Sequence, residues 1–214
     1  MELVVVATLI ASIFVTLYGI FAKTTKQLIR LLAVQAATLG FVKLVLCLID
    51  LTLGLEFEGL VDFFATFAEW FAAAVITPLI IYWGMIKTED VYDEPVINVK
   101  KVGLLLVVIV ILSVILSVFA LQFLPEKINV LPFVALMFSI SVFIIATRSD
   151  PLKILVGLNM AENALYPLFA ESPLFLIPFI LVLMIFVNLV GVFIIAEAYR
   201  DYGAMSVKTW RWTE

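Results

Sequence analysis

Residues 102–124 read VGLLLVVIVILSVILSVFALQFL, with no charge between Val102 and Leu124. A helix needs roughly 20 apolar residues to cross the hydrocarbon core of a bilayer, and about 17 suffice. This stretch is therefore long enough to span alone. The strict alternation of an outer-membrane barrel strand is absent, and backbone groups in lipid must pair within their own segment, so a helix is predicted. Apolar runs of the same kind recur at about 3–22, 28–53, 63–86, 131–147, 151–170 and 173–197. Hydrophobic residues make up 65% of the 214, and the mean hydropathy of +1.23 is far above that of a soluble domain. The implied fold class is all-α: one polytopic transmembrane bundle of about seven spans over residues 1–214, with 198–214 as a cytoplasmic interfacial tail.

Orientation follows from Lys and Arg, which collect in cytoplasmic loops. Lys23, Lys26 and Arg30 flank the first loop, Lys87, Lys100 and Lys101 the third, Arg148 and Lys153 the fifth, and Arg200, Lys208 and Arg211 the tail. The alternate loops hold only Lys127, beside Glu56, Glu58, Asp62, Glu126 and Glu171. This asymmetry predicts an outside N-terminus and a cytoplasmic C-terminus, and it needs seven spans to keep its alternation. Near Glu2 there is no basic region or small-residue cleavage site, so the first span is expected to be retained. The setting implied is multi-pass in the cell (plasma) membrane.

The polar connection from Lys87 to Lys101, with Glu89, Asp90, Asp93, Glu94 and Pro95, is either a docking segment or a solvated loop. Pro78 removes a hydrogen bond inside the third span, which predicts a kink. Tyr202, Lys208, Trp210, Arg211 and Trp212 suit the headgroup zone. One cysteine, Cys47, and no histidine leave no ligand set for an iron–sulfur cluster, haem or zinc, so no cofactor is expected in this chain. No phosphate loop, nucleophile–base set or nucleic-acid patch is present, so no catalytic residue and no nucleic-acid partner are expected.

Ionisable groups at membrane depth cost several kcal/mol unless paired or hydrated, and so mark functional or structural sites. Lys43 lies 13 residues beyond Arg30, roughly 20 Å deep, and Glu162 lies 11 residues beyond Pro151, roughly 16 Å deep. Glu69 enters from the opposite side, about 9 Å below the outer boundary of a core about 30 Å thick, level with Lys43. Asn159, Glu162, Asn163 and Tyr166 share one helical face by their i, i+3, i+4, i+7 spacing, a face expected to look inward. Gln35 and Asn188 are candidates for the same interior. Two readings fit. Spacing alone does not decide whether Lys43 meets Glu162 or Glu69, and the layer is either interhelical glue or an ion path with Glu162, Lys43 and Glu69 as its ionisable members and Asn159, Asn163, Gln35 and Tyr166 in support.

The run from Lys153 to Leu165, with Gly157-Leu-Asn-Met-Ala-Glu-Asn163 at its centre, resembles the glutamate-bearing helix of the K-type subunit of respiratory complex I. It is more closely similar to hydrogenase-4 component E. Gln35 on the second span and Pro78-Leu79-Ile80 on the third stand where that family has a glutamine and a Pro-Leu-Ile step. The resemblance implies a membrane-arm subunit of a group 4 energy-converting nickel–iron hydrogenase, or formate hydrogenlyase-type complex, that moves H+ or Na+. Its partners would be antiporter-like and hydrogenase subunits, with nickel–iron and iron–sulfur centres held by the latter. Glu162 would match the family's intramembrane glutamate. Where the family often has a lysine before the third-span proline, this chain has Ala72, Ala73 and Ala74, and Lys43 would supply the charge from another helix.

Three other readings remain. A non-conducting spacer of the same complex would use the polar residues as glue. A retinal protein needs a lysine deep in the last helix, which Pro173 to Glu197 lacks. A small secondary transporter is expected to show an internal repeat of broken helices, and Pro78 has no counterpart.

Overall fold

Each apolar run folds as a helix. The computed structural model describes residues 2–52, 57–89, 92, 99–120, 130–169, 177–204 and 206. It is about 92% helical, with no strand among the described residues. In order these are α1 (Glu2–Phe21), α2 (Thr25–Thr52), α3 (Phe57–Phe71), a π-helical turn (Ala72–Ile76), α4 (Thr77–Lys87), α5 (Val99–Ala120), α6 (Leu131–Thr147), α7 (Pro151–Phe169) and α8 (Ile177–Tyr202). Among the described residues, four stretches are long and apolar enough to cross a membrane: Val4–Phe21, Thr25–Val45, Leu60–Lys87 and Phe179–Tyr202. Gly103–Phe119 and Leu131–Thr147 are shorter apolar helices.

Several boundaries differ from the apolar runs for local reasons. α2 begins before residue 28 because Thr24 and Gln27 form a reciprocal cap. The Thr24 hydroxyl accepts the Gln27 N–H at 3.2 Å, and the Gln27 side-chain oxygen accepts the N–H groups of Lys23 and Thr24. α8 continues past the expected end at 197, supported by the Arg200–Glu197 ion pair one turn apart. It stops at Gly203, whose φ of 65° closes the last turn with a 2.8 Å bond from its N–H to the Tyr199 carbonyl. Residues 121–124 and 173–176 of the predicted spans lie outside the described residues. So do Asp90, Asp93, Glu94, Pro95, Lys127, Lys208, Trp210, Arg211 and Trp212.

The core lies where α1, α2, α6 and α7 meet, with α4 against it. Leu28, Leu32, Ile81, Ile140, Ile144, Leu152 and Met160 are almost completely buried there. α6 and α7 approach closely because Gly157 has no side chain: a Cβ there would lie 2.8 Å from Ile145 Cγ1 and 3.4 Å from the Ile145 backbone nitrogen. α5 and α8 lie at the edge of this core, to which α8 adds buried Val192 and Ile195, and both keep apolar faces open, including Leu104, Ile111, Ile115, Phe179, Phe186 and Phe193. Hydroxyls inside the helices mostly bond back one turn, as Thr16 does to Ser12 and Thr147 to Phe143. Ser113 also reaches across from α5 to the Ser139 hydroxyl of α6 at 3.1 Å.

One end of the bundle is tied by charge. Arg148, between α6 and α7, donates through Nη2 to the carbonyls of Ile20 and Ala22, both at 2.7 Å, satisfying carbonyls that the end of α1 leaves open. Asp150 caps α7 by accepting the Leu152 N–H at 2.8 Å, with Pro151 at the first helical position. Its other oxygen accepts the Thr25 hydroxyl at 2.8 Å and stands 4.0 Å from Lys153 Nζ, which donates to the Lys23 carbonyl at 2.9 Å. Arg148, Asp150 and Lys153 are buried to 5%, 1% and 0% exposure, so this corner is a packed ionic knot. Sequence reasoning took Arg148 and Lys153 only as loop charges.

Two stability predictions arise here. Gly157→Ala should destabilise the bundle by about 1–3 kcal/mol through the clash with Ile145, read as a lowered unfolding midpoint in detergent micelles. At the knot, Asp150→Ala should cost about 3 kcal/mol or more, because it removes a cap and the carboxylate beside buried Lys153. Asp150→Asn, which retains the cap acceptor, should cost less. Burial raises the Asp150 carboxyl above its ordinary range, against the lowering effects of Thr25 and Lys153. Its contribution is therefore complete below the ordinary carboxylate range and is lost as pH rises through the raised value. Wild type should lose stability relative to Asp150→Asn over that rise, measured as the pH dependence of the difference in midpoint.

Candidate functional site

At the end away from the knot, α2, α3, α7 and α8 leave a cleft of about 320 Å³. Its polar members are Glu69, Glu162, Asn163 and Tyr166, set among Gly40, Trp70, Ala73, Leu181 and Met184. Helical spacing explains the convergence. Glu162, Asn163 and Tyr166 occupy adjacent turns of α7, while Glu69 and Trp70 end α3 just before the π-helical turn. The Trp70 indole is held by a 3.2 Å bond from Nε1 to the Ala37 carbonyl of α2.

Lys43 pairs with Glu69, not with Glu162. Its ammonium lies 3.7 Å from Glu69 Oε2, with the two side chains 21% and 17% exposed. The Tyr166 hydroxyl donates to the same oxygen at 3.3 Å, and Lys43 Nζ lies 5.9 Å from the centre of the Tyr166 ring. One carboxylate is thus held by an ammonium from α2 and a phenol from α7. The pair is partly open, so screening limits its worth. Glu162, although it lines the same cleft, is exposed and makes no hydrogen bond or ion pair with the described residues.

The other expected path residues divide. Asn159 is buried and exchanges two amide hydrogen bonds with Asn188 of α8, at 2.8 and 2.9 Å. Each amide also donates to a carbonyl one turn back, Leu155 and Met184. The two asparagines lie about one helical turn from the cleft residues Asn163 and Met184. Gln35 is fully buried and points toward α1 and α7, donating to Thr16 Oγ1 at 2.8 Å and to the Met160 carbonyl at 3.4 Å. Its Oε1, like Ser12 Oγ and Thr77 Oγ1, is buried without a hydrogen-bond partner among the described residues. The four polar positions of α7 therefore serve two purposes: Asn159 joins helices, and the next three open into the cleft.

Pro78 lies just after the π-helical turn. There the Thr77 N–H bonds to the Ala72 carbonyl, one residue farther back than in an α-helix. A proline cannot donate, so the ladder is interrupted where the sequence places a kink-forming residue.

Sequence reasoning missed a second cluster beside Lys43. The buried Cys47 thiol donates to Asp62 Oδ2 at 3.3 Å and lies 3.7 Å from the Thr66 hydroxyl. Asp62 was assigned to an outer loop because the predicted span began at 63, but it belongs to α3. The signal was available: Asp62, Thr66 and Glu69 follow i, i+4, i+7 and share one face. Among the described residues, no group of three or more His, Cys, Asp or Glu side chains is arranged to hold a metal ion.

No protein-family model, curated protein or solved structure matches the chain.

The Asn159–Asn188 clasp gives a double-mutant test. Asn159→Leu and Asn188→Leu should each destabilise the protein, and the double variant should recover part of the summed loss. The coupling energy expected is about 0.5–2 kcal/mol, measured by unfolding in micelles.

Proposed function

We propose that this chain is a multi-pass subunit of a cell-membrane energy-converting complex, of the hydrogenase or complex I-like kind, and contributes to translocation of H+ or Na+. In this reading the seven apolar runs are seven spans, with the N-terminus outside and the C-terminus cytoplasmic. Helices at each run support that count, and the concentration of basic side chains at the ionic knot supports the orientation. Redox centres of nickel–iron and iron–sulfur type belong to partner subunits, beside antiporter-like subunits, as the resemblance implies. The chain itself has no catalytic role.

The observation that carries the reading is the gathering of Glu69, Tyr166 and Glu162 at one cleft of an apolar helical bundle, with Lys43 paired to Glu69. Ionisable groups at such depth ordinarily mark ion paths or proton relays. The paired Glu69 and the unpaired Glu162 differ in environment, which suits successive loading sites. Asn163 can hold water between them. A second reading, a structural spacer, draws on the Asn159–Asn188 clasp and on Gln35, both of which join helices.

Ion pumping by the intact complex in membrane vesicles separates the two. Glu162→Gln and Lys43→Met should each lower pumping by about tenfold or more, equivalent to about 1.4 kcal/mol, while assembly and cytoplasmic hydrogenase turnover persist. Pumping that survives both substitutions, or that fails only when assembly fails, would make the polar layer a scaffold.

A further inference from the structure

The cleft has the chemistry of a ligand site as well as that of a path. At about 320 Å³ it falls at the lower end of small-molecule pockets, which run from roughly 300 to 1,000 Å³. Most of its wall is apolar or aromatic, including Ala36, Leu39, Trp70, Ala73, Leu181 and Met184. Two carboxylates, Glu69 and Glu162, line it, and the one nearby ammonium, Lys43, is engaged by Glu69. Glu162 is thus a carboxylate facing an apolar space with no cation beside it among the described residues. The cleft is reachable: Glu162 is exposed, and Ile180 on its rim is 40% exposed.

We infer that this cleft binds a lipophilic organic cation, an ammonium or guanidinium group carried on a small apolar body, with its charge against Glu162. Charge complementarity selects a cation, because the cleft has a carboxylate in excess of its ammonium. The apolar wall selects an organic one. A small metal cation keeps several oxygen ligands or its water shell, whereas an alkylated ammonium spreads its charge and loses little on leaving water. The rings of Trp70 and Tyr166 add faces that attract such a cation. The body of the ligand lies among Ala73, Leu181 and Met184. The inference rests on the bundle and its cleft, not on conduction: a chain that supports pumping but fails to bind overturns this inference alone.

The test uses the 214-residue chain in nanodiscs of zwitterionic lipid, with benzyltrimethylammonium as probe and its neutral carbon isostere neopentylbenzene as control. Binding is measured by saturation-transfer nuclear magnetic resonance, and the fold of each variant by circular dichroism. The cation should bind at least about tenfold more tightly than the isostere. Glu162→Gln should abolish that preference, Glu162→Asp should keep it, and Leu181→Trp, which fills the cleft, should remove binding of both compounds. Equal affinity for cation and isostere in wild type would overturn the inference, as would unchanged cation binding in Glu162→Gln or Leu181→Trp. Should Glu162→Gln fail to fold, the isostere comparison and Glu162→Asp decide the matter on folded protein.

Discussion

A helix ends with carbonyls that have no partner of its own, and in an apolar setting those carbonyls must be satisfied by something else. At the end of α1 that something is the Arg148 guanidinium, which reaches from the turn between α6 and α7. The consequence is topological. Residues far apart in sequence become one corner, completed by Thr25, Asp150 and Lys153. With that corner closed, α1 and α2 lie against α6 and α7, and the core of Leu28, Leu32, Ile144 and Met160 follows. The ionic knot is less a source of net stability than a constraint, since buried charges must be desolvated before they attract.

The remaining helices are placed by this core. α4 lays Ile81 and Met85 on it, and α8 meets α4 through Val192 beside Gly84. α7 and α8 are joined at the asparagine clasp, and above the clasp the cleft separates α7 from the neighbouring helices. Polar groups in the interior accordingly fall into two kinds. Those with mutually satisfied partners, such as Asn159 and Asn188, hold helices together. Others keep an unpartnered atom among the described residues, as Gln35 does at Oε1 inside the bundle and Glu162 does where it borders the cleft.

Most of the helical architecture was legible in the sequence because apolar runs of spanning length have one outcome in lipid. That Lys43 and Glu69 fall at one level was legible too, because helical rise converts residue number into distance, and their side chains do meet. Which carboxylate Lys43 meets was not, since depth leaves rotation about each helix axis undetermined. Asn159 was grouped with Glu162 by spacing, yet one turn suffices to move from the clasp to the cleft. Arg148 and Lys153 were hidden for a different reason. A basic residue near a span end reads as a loop charge, and only the three-dimensional approach of two distant turns shows it to be buried. Asp62 was lost to a span start set at 63, although α3 begins at Phe57.

The π-helical turn has a consequence for phase. At about 100° per residue, the side of α3 bearing Asp62, Thr66 and Glu69 and the side of α4 bearing Thr77, Ile81, Gly84 and Met85 would point roughly 80° apart in an unbroken α-helix. A π turn takes up one additional residue and so shifts the phase by roughly 100°, leaving the two sides only about 20° apart. Both halves can then face α2, which packs against α3, the π turn and α4 in succession. The three alanines at 72–74 thus behave as an inserted letter that keeps two messages in frame. A chain one residue shorter there could run as plain α-helix and present the same two faces, which makes the irregularity the geometric record of an odd residue.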